Sequence, residues 1–299
     1  MPNVRPRRTP GPHVHGPRPR GSSGRRAGQA LALVLVASLA GACSGGSDPA
    51  WTLRPTPEPL RYELASEVSN FVETPGGPTG TDITTESEVA VSIGAVTAGG
   101  QRPFSVTYAS FEATVDAGLG APSRVDGGGF AGLRIAGASG PAGALAFDSL
   151  PDVSAGSFDA GSLAGVVPDL LPALPPGGDA AAGPWDHGFT MPMGGGVSGE
   201  ITYSGTARFA GDTTWEGISA RRILSEGRVT FEGSGTPAGA PGPIEMKAEG
   251  DSRTLYVWDP ARGVLLASES ESEASGTVRA MGFDMPLVVR AESRTRVRP

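Results

Sequence analysis

The sequence predicts a mainly β fold of antiparallel strands, with one short helical segment between two strand-rich stretches. Three observations carry this. Apolar residues recur at every second position through long stretches of chain. Glycine, proline and aspartate punctuate those stretches at turn spacing. Only one stretch spaces leucine and valine three to four apart. A period of two sends alternate side chains to opposite faces, so each such strand buries one face and wets the other.

The first strand-rich stretch covers 60–150. "LRYELASEV" (60–68) places Leu60, Tyr62, Leu64 and Val68 on one face. "ITTESEVAVSI" (83–93) opposes Ile83, Val89, Val91 and Ile93 to Thr84, Glu86 and Glu88. "FSVTY" (104–108) alternates, and the phase then slips by one to Phe111, Ala113 and Val115, which predicts a bulge. "FAGLRI" (130–135) and "ALAFDSL" (144–150) are weaker. The second stretch, 197–299, is cleaner. Strands are expected in "VSGEITYSGTARF" (197–209), "ISARRILSEGRVTF" (218–231), "IEMKAEGDSRTLYVW" (244–258), "VLLASESESEASGTVRA" (264–280) and "MPLVVRAESRTRV" (285–297), with a hairpin turn at "WDPARGVL" (258–265). Between them, 151–196 forms a helix and loop insert. "FDAGSLAGVVPDLLPAL" (158–174) spaces Leu163, Val166/Val167, Leu170/Leu171 and Leu174 helically. Pro168 and Pro172 restrict it to one or two short turns over an apolar opening, and 175–196 is expected as loop. Both stretches open with an alternating strand containing tyrosine (Tyr62, Tyr203), which makes the halves candidate repeats.

Glycine and proline number 46 and 28 in 299 residues. That content approaches the range of disordered chains, but the sustained alternation argues for folding. Seven of the 24 basic residues precede residue 27 and no acid precedes Asp48, so the rest of the chain is acidic and repels nucleic acid. A single cysteine, Cys43, excludes an internal disulfide.

Residues 1–29 are basic, 30–40 are apolar ("ALALVLVASLA"), and the small residues Ala40, Gly41 and Ala42 follow, the pattern of an export signal. Eleven residues in a helix rise only about 16 Å, too short for the roughly 30 Å hydrocarbon core. The twin arginines of "RRAGQAL" (25–31) lack a good twin-arginine context, and Val4 or Val14 is an alternative start. "LAGAC" resembles the lipobox of bacterial lipoproteins, although Leu39 lies one position further from the cysteine than in the strongest pattern. The resemblance implies a signal peptide over 1–42, cleavage before Cys43 and diacylglyceryl transfer to its sulfur. It implies an exported protein held to the cell membrane or outer membrane by lipid, facing periplasm or exterior. Ser44, in place of aspartate, fits the outer membrane in a two-membrane cell. Two or three acyl chains, at about 0.8 kcal/mol per methylene, suffice for stable anchoring. Residues 43–59 are expected as a flexible tether and 60–299 as the β-rich domain.

Motifs for catalysis are few. "GGGFAG" (127–132) and "GGGVSG" (194–199) fit G-x-G-x-x-G, but neither opens a helix, and chance matches are expected among so many glycines. His187 is the only histidine after Cys43. It is expected as a loop residue; adjacent Asp186 would point to the opposite face of a strand, and no serine is marked as its partner. One histidine falls short of a zinc site, and no cofactor is implied. In "SESESEA" (268–274), Glu269, Glu271 and Glu273 form an acidic face that is either solvated or a cation site. Ser268, Ser270 and Ser272 share the nominal inner face, so this strand leaves the core or lines a roomy cavity. Trp185 and Trp215 are expected as packing anchors.

The long antiparallel strands, the short apolar helix and the turn "YVWDPARGVLL" (256–266) resemble the lipoprotein-carrier class. There, a curved half-barrel sheet wraps a helical plug around an apolar cavity. The resemblance implies a non-catalytic, lipid-anchored envelope protein that binds an acyl chain or other apolar ligand. The alternative is a structural or interaction lipoprotein with a filled β core. An apolar void under an unclosed sheet separates the two.

Overall fold

The structure is a computed structural model that describes residues 51–298, except 75, 119, 141–142, 173, 177–182 and 238–241. The signal peptide, Cys43 and the first part of the expected tether lie outside the described residues.

The first half forms β1 (Leu60–Thr74), β2 (Gly77–Ile93), β3 (Arg102–Asp116), β4 (Ser123–Asp126), β5 (Arg134–Ser139) and β6 (Leu145–Phe147). A small hairpin, β7 (Ser154–Ala155) and β8 (Phe158–Asp159), leads into α1 (Ala160–Ala164) and α2 (Val167–Leu170). The second half forms β9 (Trp185–Pro192), β10 (Val197–Trp215), β11 (Ile218–Gly235), β12 (Ile244–Asp259), β13 (Val264–Ala280) and β14 (Phe283–Val297). The fold is mainly β, as the alternation predicts.

Both halves belong to one 12-stranded sheet, ordered β6-β5-β3-β2-β1-β14-β13-β12-β11-β10-β9, with β4 on β3. Every pairing is antiparallel, and β1 against β14 joins the halves. The edge strands β6 and β9 approach each other, so the sheet is a nearly closed barrel. Three register shifts aid the bending, in β10 between Phe209 and Asp212, between β2 and β3, and between β12 and β13. The second of these falls between Tyr108 and Ser110, where the phase of the sequence slips.

The turns follow the local chemistry. Asp259 closes the β12–β13 hairpin by accepting from the backbone N–H groups of Ala261 (2.8 Å) and Arg262 (3.0 Å). The tips of β10–β11 and β13–β14 are Glu216–Gly217 and Met281–Gly282, all with positive φ, as tight hairpins need.

The two short helices cap an apolar core. Asp159 accepts from Ser162 N–H at 2.9 Å at the start of α1, and its other oxygen accepts from Gly195 N–H at 2.9 Å, fastening the plug to the β9–β10 turn. Leu163, Val167, Leu170 and Leu171 are buried against Trp258, Tyr62, Tyr108, Ile135 and Val106. Tyr108 OH donates to Leu163 O (2.8 Å), Tyr256 OH to Pro168 O (3.4 Å) and Ser268 Oγ to Asp169 O (2.9 Å), so the carbonyls freed where the helices end are satisfied from the sheet.

Two expectations are corrected. The segment 175–196, expected as loop, contains β9. Its alternating Trp185, His187, Phe189 and Met191 pair along β10, and the pairing overrides the flanking glycines and prolines. The expected tether, 43–59, is packed where it is described. Trp51 and Leu53 are buried, Arg54 N–H donates to Gly263 O at 3.1 Å, and Thr56 N–H donates to Ile93 O at 3.0 Å. Trp51 meets Trp185 and Phe209 edge-on with centroids 6.5 and 5.5 Å apart, an aromatic gain that offsets the entropy of ordering a Pro-rich segment.

Candidate functional site

Towards the Met281–Gly282 end the inner face of the sheet changes character. Successive rows of inward residues can be read from the strand register. One row runs Thr85, Ser66, Ser293, Ser270, Thr254, Ser225 across β2, β1, β14, β13, β12 and β11, with each residue directly opposite the next. It is an unbroken line of hydroxyls over six strands. The next row runs Val68, Ala291, Ser272, Ser252, Gly227, Gly205, His187. Small side chains here leave space that the plug does not fill.

A cavity of about 350 Å³ occupies that space. One wall is the plug, with Ser162, Val166, Pro168 and Asp169; the other is the sheet, with the serines and Thr254 of the two rows and the apolar residues Val68, Phe189, Met191, Ile201, Val229, Phe231 and Val289. Val229 and Val289 belong to a second apolar cluster with Ala248, Ala274, Val278 and Leu287. Val68, Met191, Ile201 and Phe231 are half-buried, whereas Ser225, His187, Thr254 and Tyr256 are buried. Ser66, Ser252, Ser270, Ser272 and Ser293 are half-buried as well, and Val229 and Val289 are buried, so the lining is most enclosed where Ser225, His187 and Tyr256 meet.

Most of the polar groups are paired. Ser66 and Thr85 hydroxyls lie 2.7 Å apart, and those of Thr254 and Ser270 lie 3.0 Å apart. Ser293 Oγ donates to Asp169 Oδ2 at 2.5 Å. Burial nevertheless raises the Asp169 carboxyl to about 6, against the lowering pull of that bond. Ser225 Oγ lies 2.8 Å from His187 Nδ1 and 2.7 Å from Tyr203 OH. The Tyr203 hydroxyl sits over the directly paired Gly205 and Gly227, where a β-carbon would come within 2.7 and 2.8 Å of it. Those glycines let the phenol reach Ser225. Ser252 and Ser272, opposite each other on β12 and β13, have no hydrogen-bond partner among the described residues.

His187 is thus not a loop histidine. It is 4 % exposed in β9, and burial pulls it down to about 4, so it is neutral near pH 7. Its serine partner is 38 residues away in sequence, on a strand that is not adjacent, and no local pattern reports it. The Ser225–His187 pair has the spacing of a nucleophile and base, but a lowered pKa makes a weak base, and Asp186 is exposed on the other face of β9. The pair is suited to holding buried polar groups in place.

The inner-face serines of "SESESEA" line this space as the phase implied. Ser270 and Ser272 face the cavity and Ser268 grips α2. Glu269, Glu271 and Glu273 are exposed, and Glu273 accepts from Arg290 at 3.3 Å. Trp185 is buried in the core, and Trp215 lies under the Arg296 guanidinium at 5.9 Å. Among the described residues, no group of three or more His, Cys, Asp or Glu side chains is placed to hold a metal, and no helix is long and apolar enough to cross a membrane.

No protein-family model matches the sequence, and no curated protein does. Among solved structures, one neighbour is an outer membrane lipoprotein-sorting protein domain, described as putative, from Vibrio parahaemolyticus (7 % identity, TM-score 0.15, 79 % of this chain and 83 % of that one). Another is a DUF1329 family protein from Desulfovibrio piger (10 % identity, TM-score 0.15, 79 % and 85 %). A third comes from work on asymmetric conductivity of engineered proteins (8 % identity, TM-score 0.20, 81 % and 100 %). Likenesses this distant carry no argument about function, which rests on the geometry of the cavity.

Proposed function

We propose that this chain is a non-catalytic, lipid-anchored protein of the cell envelope that binds an acyl chain or other apolar ligand inside its curved sheet. The observation that carries the reading is the cavity of about 350 Å³ between plug and sheet, with Val68, Met191, Ile201, Val229, Phe231 and Val289 in its lining. A filled β core, the expectation for a purely structural lipoprotein, has no use for such a space. Its lining would instead be drawn together, since an unfilled cavity costs stability. The volume is at the small end of the range for pockets that enclose small ligands, about 300–1,000 Å³.

The lipobox supplies the second part of the proposal. Thioether attachment at Cys43 would hold the protein at a membrane surface and keep the cavity within reach of lipid.

The test is organic extraction and mass spectrometry of the purified protein carrying Cys43→Ala, which has no anchor of its own. A co-purifying apolar molecule in near-stoichiometric amount is expected. A protein that carries none, and takes up none when offered acyl chains, returns the reading to a structural lipoprotein.

A further inference from the structure

The cavity is not uniformly apolar, and its most enclosed corner, around Ser225 and His187, is polar. We infer that its ligand is a single-chain amphiphile with a neutral, hydroxyl-bearing head group, and that it enters head-first. The head meets the hydroxyl rows while the chain lies along the apolar segment of the lining. This rests on the reading of the cavity as a ligand site and narrows it to a chemical class.

Four features lead there. First, hydroxyls dominate the polar part of the lining, and a serine or threonine hydroxyl both donates and accepts, so it complements another hydroxyl or an ester carbonyl. Second, Ser252 and Ser272 offer hydroxyls that no described protein group engages, side by side on the cavity wall. Both are half-buried, so a ligand hydroxyl or carbonyl there would take the place of water as their partner. Third, among the described residues no lysine or arginine lines the cavity; the charged side chain facing it is Asp169, Glu292 being exposed on the outer face of β14, and His187 is neutral. A carboxylate or phosphate head would meet like charge and no counter-charge, which selects against fatty acids and phospholipids. A cationic head would find one carboxylate, already bonded to Ser293, and would have to give up its hydration to reach it. Fourth, the most enclosed corner of the lining, at Ser225, His187 and Tyr256, is polar, the placement that takes a polar head ahead of its chain. The volume holds one chain rather than the two or three of a lipoprotein anchor.

Titration calorimetry on the purified, delipidated full-length chain separates these possibilities. Three probes share a twelve-carbon chain: monolauroyl glycerol, laurate and dodecylamine, each below its aggregation concentration. Monolauroyl glycerol is expected to bind at least about tenfold more tightly than the other two, the worth of one or two well-made hydrogen bonds. The double variant Ser252→Ala/Ser272→Ala is expected to lose about that factor for monolauroyl glycerol, with laurate and dodecylamine unchanged. If the double variant does not melt cooperatively, Ser272→Ala alone gives the same readout. Equal or tighter binding of laurate or dodecylamine overturns the head-group assignment. An unchanged affinity in the folded serine variants overturns the head-first placement. If none of the three probes binds, the ligand-site reading itself falls, which is a different failure from a wrong head group.

Discussion

The strand β12 passes through two environments within ten residues. Near the plug it buries Tyr256 and Trp258 against Tyr62, Leu265 and the helices. Towards the cavity it turns Thr254, Ser252 and Gly250 inward. β13 makes the same change, from Leu265 at the plug to Ser270, Ser272 and Ala274 beyond it. The one register shift lies at the plug end, between Val257 and Trp258, and pairing is unbroken from Tyr256 onward, so beyond that point the difference lies in side-chain volume and polarity. Large apolar residues fill the plug end and hold the barrel; the small polar ones beyond it leave a hollow, ahead of the second apolar cluster, and supply it with hydrogen-bonding groups. Stability and binding are thereby divided along the same strands.

The sharpest test of that division is a truncation at the filled end. Trp258 is fully buried, and Trp258→Ala is expected to cost about 3–5 kcal/mol in urea unfolding. Ser270→Ala, on the cavity wall, is expected to change stability by about 1 kcal/mol or less. Similar losses at the two positions would mean that the hollow stretch also holds the fold, and the division would fail.

A smaller effect concerns the border between the regions, where Asp169 and His187 titrate in opposite senses. The Asp169 carboxyl, raised to about 6, holds its proton more tightly folded than unfolded, so its contribution is full at low pH and is lost as pH rises through 6. His187, lowered to about 4, stays neutral when folded while the unfolded imidazole protonates, so its contribution is lost as pH falls below about 6.5. The two slopes oppose each other between pH 4 and 6 and flatten the curve. Asp169→Asn is expected to leave a loss of about 2 kcal/mol on acidification through that window, and His187→Gln a gain of similar size. Urea midpoints measured at half-unit steps would reveal both; two variants with the same slope would show that these groups do not set the balance.

The smallest effect is expected on the outer face. Glu273 and Arg290 pair across β13 and β14 with both side chains exposed. Arg290→Ala is expected to cost less than about 0.5 kcal/mol and to leave ligand affinity unchanged. A shift in affinity would show that the outer face communicates with the cavity behind it.

Much of this was legible in the chain. The alternating faces of β1, β2 and β10 to β14, the phase slip at Ala109, the Asp259 hairpin and the Pro-limited helices all rest on local chemistry, which acts within a few residues. The serines of "SESESEA" pointed to a roomy interior because period two alone decides which face they share. β9 also alternates, but its glycine and proline flanks read as loop until β10 supplies a partner. Trp51 and Leu53 gave no periodic signal at all, since two apolar residues among prolines acquire meaning only when a core accepts them.

What the sequence by itself determined is therefore the identity of the faces: which side of each strand is apolar, which carries hydroxyls, and where turns must fall. The tertiary structure decided the alignment of those faces. Ser66, Thr85, Ser225, Thr254, Ser270 and Ser293 are scattered over more than two hundred residues, and none is unusual in its own strand. They become one row because register is set by pairing between strands far apart in the chain, where a slip of a single residue would send each serine to the opposite face. The cavity exists only once that row is closed over by the plug.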